Sequence, residues 1–221
     1  LTLAQKERAY SARHCSKLSL ISMDDLERDI KEYGGIQPPH LAFYSQAIRF
    51  NVEAAMASID FLASFIEMTN ETKGNYEKTE ELQDEILDQI QNLLIHAGAL
   101  SRYFWPPKPG KHRLHEYRAE TLKKHYGLSE DSALKSRTLR NLLEHFEENL
   151  DKYLWSKPIV GYVLPAYVGG QIESEGVPAH LFRAFYIDVG VFETLGVRHE
   201  IQPIVDEVCY LYERFHNSPN T

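Results

Sequence analysis

The sequence predicts a mainly α-helical protein. Its expected core is a four-helix bundle, closed by a small C-terminal β-hairpin and a last helix. Three observations carry this. Apolar residues recur at spacings of three and four through most of the first two thirds of the chain. Clusters of Pro and Gly cut that pattern into helix-length pieces. After Trp155 the composition shifts to β-branched and aromatic residues punctuated by Gly.

Residues 1 to 33 mix polar and apolar positions and predict one or two short helices. "YGGIQPPH", Tyr33 to His40, breaks the chain, because two glycines and two prolines cannot continue a helix. Ile48, Val52, Ala55, Ile59, Leu62 and Ile66 then mark one buried stripe of a long helix, which "TNETKGN" ends. The next helix runs roughly from Tyr76 to Phe104. Its first half is acidic, which suits the positive end of a helix dipole. Its second half offers Ile86, Ile90, Leu93, Leu94, Ala97 and Leu100 to a core.

"WPPKPGK", Trp105 to Lys111, is a hard stop. A third helix covers Leu114 to Tyr126 and ends at Gly127, a favoured C-terminal cap. Ser129 or Asp131 is placed to cap a fourth helix reaching about Trp155. "IVGYVLPAYVGG" and "HLFRAFYIDVGVFETLG" are rich in β-formers. The second predicts a hairpin of Phe182 to Ile187 and Val191 to Leu195, turned at "DVG". In "IQPIVDEVCYLYERFH", Pro203 suits a first helical turn, and Ile204, Val208, Leu211 and Phe215 make an apolar stripe. Three units are expected: an N-terminal segment and linker over 1–38, a helical bundle over 39–155, and the hairpin with its closing helix over 156–221.

The chain has 221 residues, enough for one sizeable core. Its net charge of −8 argues against a dedicated nucleic-acid coating protein, though a whole-chain sum hides local asymmetry. Cys15 and Cys209 are far apart and form no disulfide or zinc framework, which suits a reducing compartment. No apolar run is long enough to span a bilayer. The chain opens without a charged-then-apolar leader, although Leu1 is not an initiator Met. A cytoplasmic protein with no membrane contact is the expectation.

The sharpest local signal is "LRNLLEHFEENL", Leu139 to Leu150. On a helix, Leu139, Leu142, Leu143, Phe146, Leu150, Tyr153 and Leu154 form one apolar face, expected to pack into the bundle. Arg140 and His145 flank the polar side, diverging by about 140° around a straight axis. Two readings are open. Arg140 pairs with Glu144 at i, i+4 and His145 is an exposed imidazole, both ordinary features of a surface helix. Alternatively the two carry chemistry.

Arg140-Asn141-Leu142-Leu143-Glu144-His145 resembles the signature of the HEPN superfamily, an R-x(4–6)-H motif on a late helix of a bundle, often with a polar residue after the Arg. The resemblance covers about residues 41 to 155 by helix layout. Its specific part is that six-residue string. It implies a helical bundle that commonly dimerises and, in many members, a metal-independent endoribonuclease, here of a toxin or defence type. Carried over, His145 is the general acid/base, Arg140 the stabiliser of phosphate charge, and Asn141 an orienting residue. The roles are chemically consistent. RNA brings its own 2′-hydroxyl as nucleophile, His titrates near neutrality, and Arg offers a planar fork of donors. No metal and no cofactor are expected. Because one straight helix does not focus Arg140 and His145 on one phosphate, activity predicts a homodimer with two motif helices facing one cleft.

An RNA partner finds some support in Lys108, Lys111, Arg113, Arg118, Lys123 and Lys124, set against Glu116 and Glu120. The bland reading, a solvated helix face, weighs equally. Tyr103, Phe104 and Trp105 are expected to pack rather than to stack on bases. His96 is expected to be a hydrogen-bonded core histidine. No phosphate-binding glycine loop and no H-E-x-x-H zinc motif occurs. The alternative function is a non-catalytic HEPN-like module that binds a protein partner or nucleotide, favoured by Glu144, Glu147 and Asp151 around Arg140. A function lodged in the C-terminal hairpin is a third possibility.

Overall fold

A computed structural model describes residues 23–71, 77–106, 113–136, 141, 145–156, 158–172 and 176–217. The fold is mainly helical with a small C-terminal sheet. The helices are α1 (Met23–Tyr33), α2 (Pro38–Glu71), α3 (Glu77–Phe104), α4 (Leu114–Tyr126), α5 (Phe146–Ser156) and α6 (Gln202–Asn217). The strands are β1 (Tyr162–Leu164), β2 (Tyr167–Gly169), β3 (Ala179–Leu181), β4 (Arg183–Tyr186), β5 (Val191–Thr194) and β6 (Val197–Glu200).

The expected break at "YGGIQPPH" is shorter than its residues suggested. Gly34 and Gly35 take left-handed backbone angles and close α1, where the Gly34 N–H donates to the Ile30 carbonyl at 2.9 Å. Pro38 and Pro39 then open α2 instead of blocking it. A first turn has unsatisfied N–H groups anyway, so prolines cost nothing there.

The helices α2 and α3 lie antiparallel. Ser58 donates to Gln89 at 2.9 Å, and Asn51 meets His96 at 3.0 Å, so positions rise along one helix as they fall along the other. Between them sits the core: Ile48, Val52, Ala55, Leu62 and Phe65 against Ile86, Ile90, Leu93 and Leu100, with Leu94 and Ala97 buried toward the 3-10 turn Ala133–Lys135 and α6. Every residue expected in the α3 stripe is buried, whereas in α2 Phe65 is buried and the expected Ile59 and Ile66 are half-buried. The helix α4 lies on α3 and buries Ala119, Leu122 and Tyr126, and Gly127 caps it at φ 73°. The closing helix α6 lies along α2 and buries Val208 and Leu211. The Tyr210 hydroxyl donates to the Tyr126 carbonyl at 3.2 Å, and Arg214 donates to the His125 carbonyl at 3.3 Å. A cation on the last carbonyls of α4 is well placed against the helix dipole.

The expected hairpin is present as β4 and β5, antiparallel with Phe185 opposite Phe192. It is part of a larger sheet. The order is β2-β4-β5-β6, with β2 parallel to β4 and the other pairs antiparallel. A separate parallel pair joins β1 to β3. Side chains alternate across the four-stranded sheet. Phe185, Phe192 and Val168 join the helical core, and His199 stands opposite Phe192. The other face carries Ala184 and Tyr186 in a second, smaller cluster with Leu181. There Glu193 accepts from the Tyr186 hydroxyl at 3.0 Å and from Arg198 Nε at 2.8 Å. Burial first, and then the Glu193 carboxylate, push the Tyr186 phenol up to about 12.

The α1–α2 corner is held from α4: the Thr121 hydroxyl donates to the Gly34 carbonyl at 2.7 Å. A Cβ on Gly34 would stand 2.5 Å from that hydroxyl oxygen, at a φ of 63° that side chains disfavour. Gly34→Ala is therefore expected to cost about 2 kcal/mol, from backbone strain and the displaced hydrogen bond together. Urea unfolding of both proteins measures it.

Candidate functional site

The motif stretch enters α5 through a turn. The His145 N–H donates to the Asn141 carbonyl at 3.1 Å, and the His145 carbonyl accepts from Asn149 at 3.0 Å. Asn141 and His145 are thus one helical turn apart, and both are exposed. His145 Nδ1 stands 3.9 Å from a Glu148 carboxylate oxygen, too far for a hydrogen bond. Glu147 and Glu148 occupy the first turn of α5, where acids favour the dipole. Arg140 lies outside the described residues.

The sequence led us to expect one helix from Ser129 or Asp131 to Trp155, packed by its apolar face into the bundle. The structure differs over Ala133–Ser136 and from His145 onward, while Leu139, Leu142 and Leu143 lie outside the described residues. Ala133–Lys135 is a single 3-10 turn, capped by Ser132, whose hydroxyl accepts from the Leu134 N–H. Leu134 is buried and pins that turn to the core. The helix α5 begins only at Phe146 and buries none of its residues. The reason is competition: α6 occupies the flank of α2, with Val208 and Leu211 fully buried.

The contacts of α5 are instead with the β3–β4 region. Arg183 lies 5.1 Å over the Phe146 ring. Tyr153 meets Phe182 edge-on and shares a 2.7 Å hydrogen bond with His180 Nδ1. His180 is buried, and its Nε2 lies 3.3 Å from the Val160 carbonyl. A carbonyl only accepts, so Nε2 carries the proton, and in the neutral ring Nδ1 accepts from the Tyr153 hydroxyl. His180 therefore ties α5 to the chain entering β1.

The basic segment is largely committed to local partners. Lys108 and Lys111 lie outside the described residues. Arg113 pairs with Glu116 at 2.6 Å. Arg118 donates to the Arg102 carbonyl at 3.0 Å, in the last turn of α3, and its guanidinium lies 5.8 Å over Tyr44. Lys123 pairs with Glu130 and sits 5.8 Å over Trp105. Lys123 and Lys135 together hold the Glu130 carboxyl down at about 2. Lys124 is exposed. Phe104 and Trp105 are buried, so these two aromatics pack rather than present their faces. His96 is half-buried. Asn51 donates its amide N–H to Ala47, so its Oδ1 accepts from His96 Nδ1. Burial lowers the His96 pKa below the ordinary value. Among the described residues, no three His, Cys, Asp or Glu side chains converge as a metal site would require.

Sequence reasoning passed over the surface around His180. Trp155 is 91% exposed, Tyr162 67% and Val160 64%, and Ile159, Val163 and Val177 are exposed too. They lie along the chain from the end of α5 into β1 and just before its partner β3, where His180 bonds to Tyr153 and to the Val160 carbonyl. A signal existed in "WSKPIVGYV", where Pro158 and Gly161 interrupt an apolar run. That run reads equally well as a buried strand, so exposure could not be inferred from it. Among the described residues, no helix is long and apolar enough to cross a membrane.

Comparison with known protein families, curated proteins and solved structures finds no match to this chain.

If His180 is the link between α5 and β1, its loss is felt in both. Tyr153→Phe is expected to cost about 1 kcal/mol, and His180→Ala about 2–4 kcal/mol, because the larger change also leaves a cavity and an unpaired carbonyl. Urea unfolding followed by circular dichroism measures both.

Proposed function

We propose that this chain is a HEPN-like helical module that binds a protein partner, and that the partner docks on the surface formed by the end of α5 and β1. The observation carrying this reading is the run of exposed apolar residues from the end of α5 into β1: Trp155, Ile159, Val160, Tyr162 and Val163. Monomeric proteins rarely leave such patches to water, and aromatic residues are the commonest anchors of protein interfaces. Among the described residues β1 is bonded only on its β3 side. Its open edge suits an apolar, extended segment of the partner, added as a further strand. The local pairing of Arg113, Arg118 and Lys123, and the Glu148 carboxylate 3.9 Å from His145, weigh the same way against a phosphate backbone.

The double variant Trp155→Ser, Tyr162→Ser tests the docking surface. Both side chains are exposed, so the thermal midpoint is expected to stay within a few degrees. A partner captured by the wild-type chain from its source cells and identified by mass spectrometry should bind the variant at least about tenfold more weakly, the usual scale of a lost aromatic anchor. Equal binding removes this surface from consideration.

A second reading is favoured by the exposure of Asn141 and His145 one turn apart. It is a metal-independent endoribonuclease acting as a homodimer, with a toxin or defence role. His145 is the general acid/base, Arg140 the phosphate stabiliser and Asn141 the orienting residue. Purified protein incubated with bulk cellular RNA in EDTA should then cleave it. His145→Ala should slow cleavage about 10²–10⁴-fold, the usual worth of a general acid/base. Cleavage of equal rate by both proteins eliminates the reading.

A further inference from the structure

Apart from the motif and the α5–β1 surface, α3, the 3-10 turn, β6 and the start of α6 enclose a cavity of about 430 Å³. That is within the usual size of small-molecule sites. Its wall is largely apolar, with Leu94, Ala97, Leu134 and Ile204. Five polar residues interrupt it: Ser101 from α3, Ser136 after the 3-10 turn, and Arg198, His199 and Glu200 from β6. Ser101 is 1% exposed. Its hydroxyl and His199 Nε2 are both buried without a hydrogen-bond partner among the described residues.

This is unusual on both counts. A helical serine ordinarily returns its hydroxyl to a carbonyl one turn back. Each buried polar group left unpaired costs about 1–3 kcal/mol, so two in the lining of one cavity call for an explanation. Neither group has a part in the motif chemistry or in the α5–β1 surface.

The surrounding charges define what would satisfy them. Arg198 lines the cavity, but Glu193 already accepts from its guanidinium. Glu200, also on the lining, adds a negative charge that disfavours anions. Burial lowers the His199 pKa, so the ring is neutral at pH 7 and can act as donor or acceptor according to its tautomer. Ser136 and Glu200 are exposed at the rim and leave the cavity reachable from solvent.

We propose that this cavity binds a small, neutral, mainly apolar molecule that presents an amide-type edge, one donor beside one acceptor, to Ser101 Oγ and His199 Nε2. An amide serves either imidazole tautomer, because the serine hydroxyl takes whichever role the ring leaves. The apolar remainder fills the space lined by Leu94, Leu134 and Ile204.

Benzamide is the probe, added to the full isotope-labelled chain and followed by NMR at the His199 ring and the Ser101 amide. Benzoate, benzylamine and toluene test charge and simple apolar filling. Benzamide should give saturable shifts at both positions and bind tighter than the other three. Ser101→Ala removes an unpaired buried hydroxyl, so the thermal midpoint of the variant should be unchanged or higher. Its benzamide affinity should fall at least about fivefold, the loss of one hydrogen bond. Ala133→Leu, at the half-exposed rim, should also weaken binding by crowding the site. Absence of saturable shifts, toluene binding as well as benzamide, tighter binding of either charged probe, or unchanged affinity in Ser101→Ala would each overturn the proposal.

Discussion

The antiparallel seam between α2 and α3 is the contact on which the other elements rest. Ile48, Ile86, Ile90, Leu93 and Leu100 are fully buried in it. Each aliphatic side chain of this kind contributes on the order of 1.5–3 kcal/mol. Apolar contact alone does not fix how two long helices slide past each other. Ser58 with Gln89 and Asn51 with His96 do, because a hydrogen bond tolerates little displacement. Once that register is set, α3 presents Leu94, Ala97 and Phe104 to the segments that follow, and α2 presents a flank to whichever helix buries most on it.

That flank is where the C-terminal part of the chain shapes the candidate motif region. The stripe of α6 includes Val208 and Leu211 at full burial, whereas α5 carries no buried residue. Displaced from the core, α5 is supported by a polar hub, Tyr153 to His180 to the Val160 carbonyl, and by Arg183 over Phe146. A helix held in this way keeps Leu154 and Trp155 at the surface. The same displacement leaves His145 and Asn141 in contact with water. The two proposed functions thus rest on one structural feature.

The cations of α4 show how local pairing changes the meaning of a charge run. Arg118 spends its guanidinium on the last turn of α3, Arg113 on Glu116, and Lys123 on Glu130. Glu130 answers two lysines at once and remains ionised far into acid. The bonds of Arg118 and Lys123 fasten α4 to neighbouring segments. Among the described residues, three of the four cations of this run are thus held by local partners.

The sequence by itself determined the helices whose signals are local. The apolar spacing of Ile48 to Ile66 and Ile86 to Leu100, the cap at Gly127 and the proline entry at Pro203 all act within a few turns of chain, and each lies where expected. The hairpin of β4 and β5 is legible for the same reason, since its two strands are joined by a short turn. What only the tertiary structure decided depends on residues far apart. The parallel pairings of β1 with β3 and β2 with β4 join strands that no hairpin signal connects. The assignment of α6 rather than α5 to the flank of α2 is settled by which apolar stripe buries more. The cavity of Ser101 and His199 exists because α3, the 3-10 turn, β6 and α6 meet there. Periodicity names the face that seeks burial, and only competition among all such faces in the folded chain decides which of them obtains it.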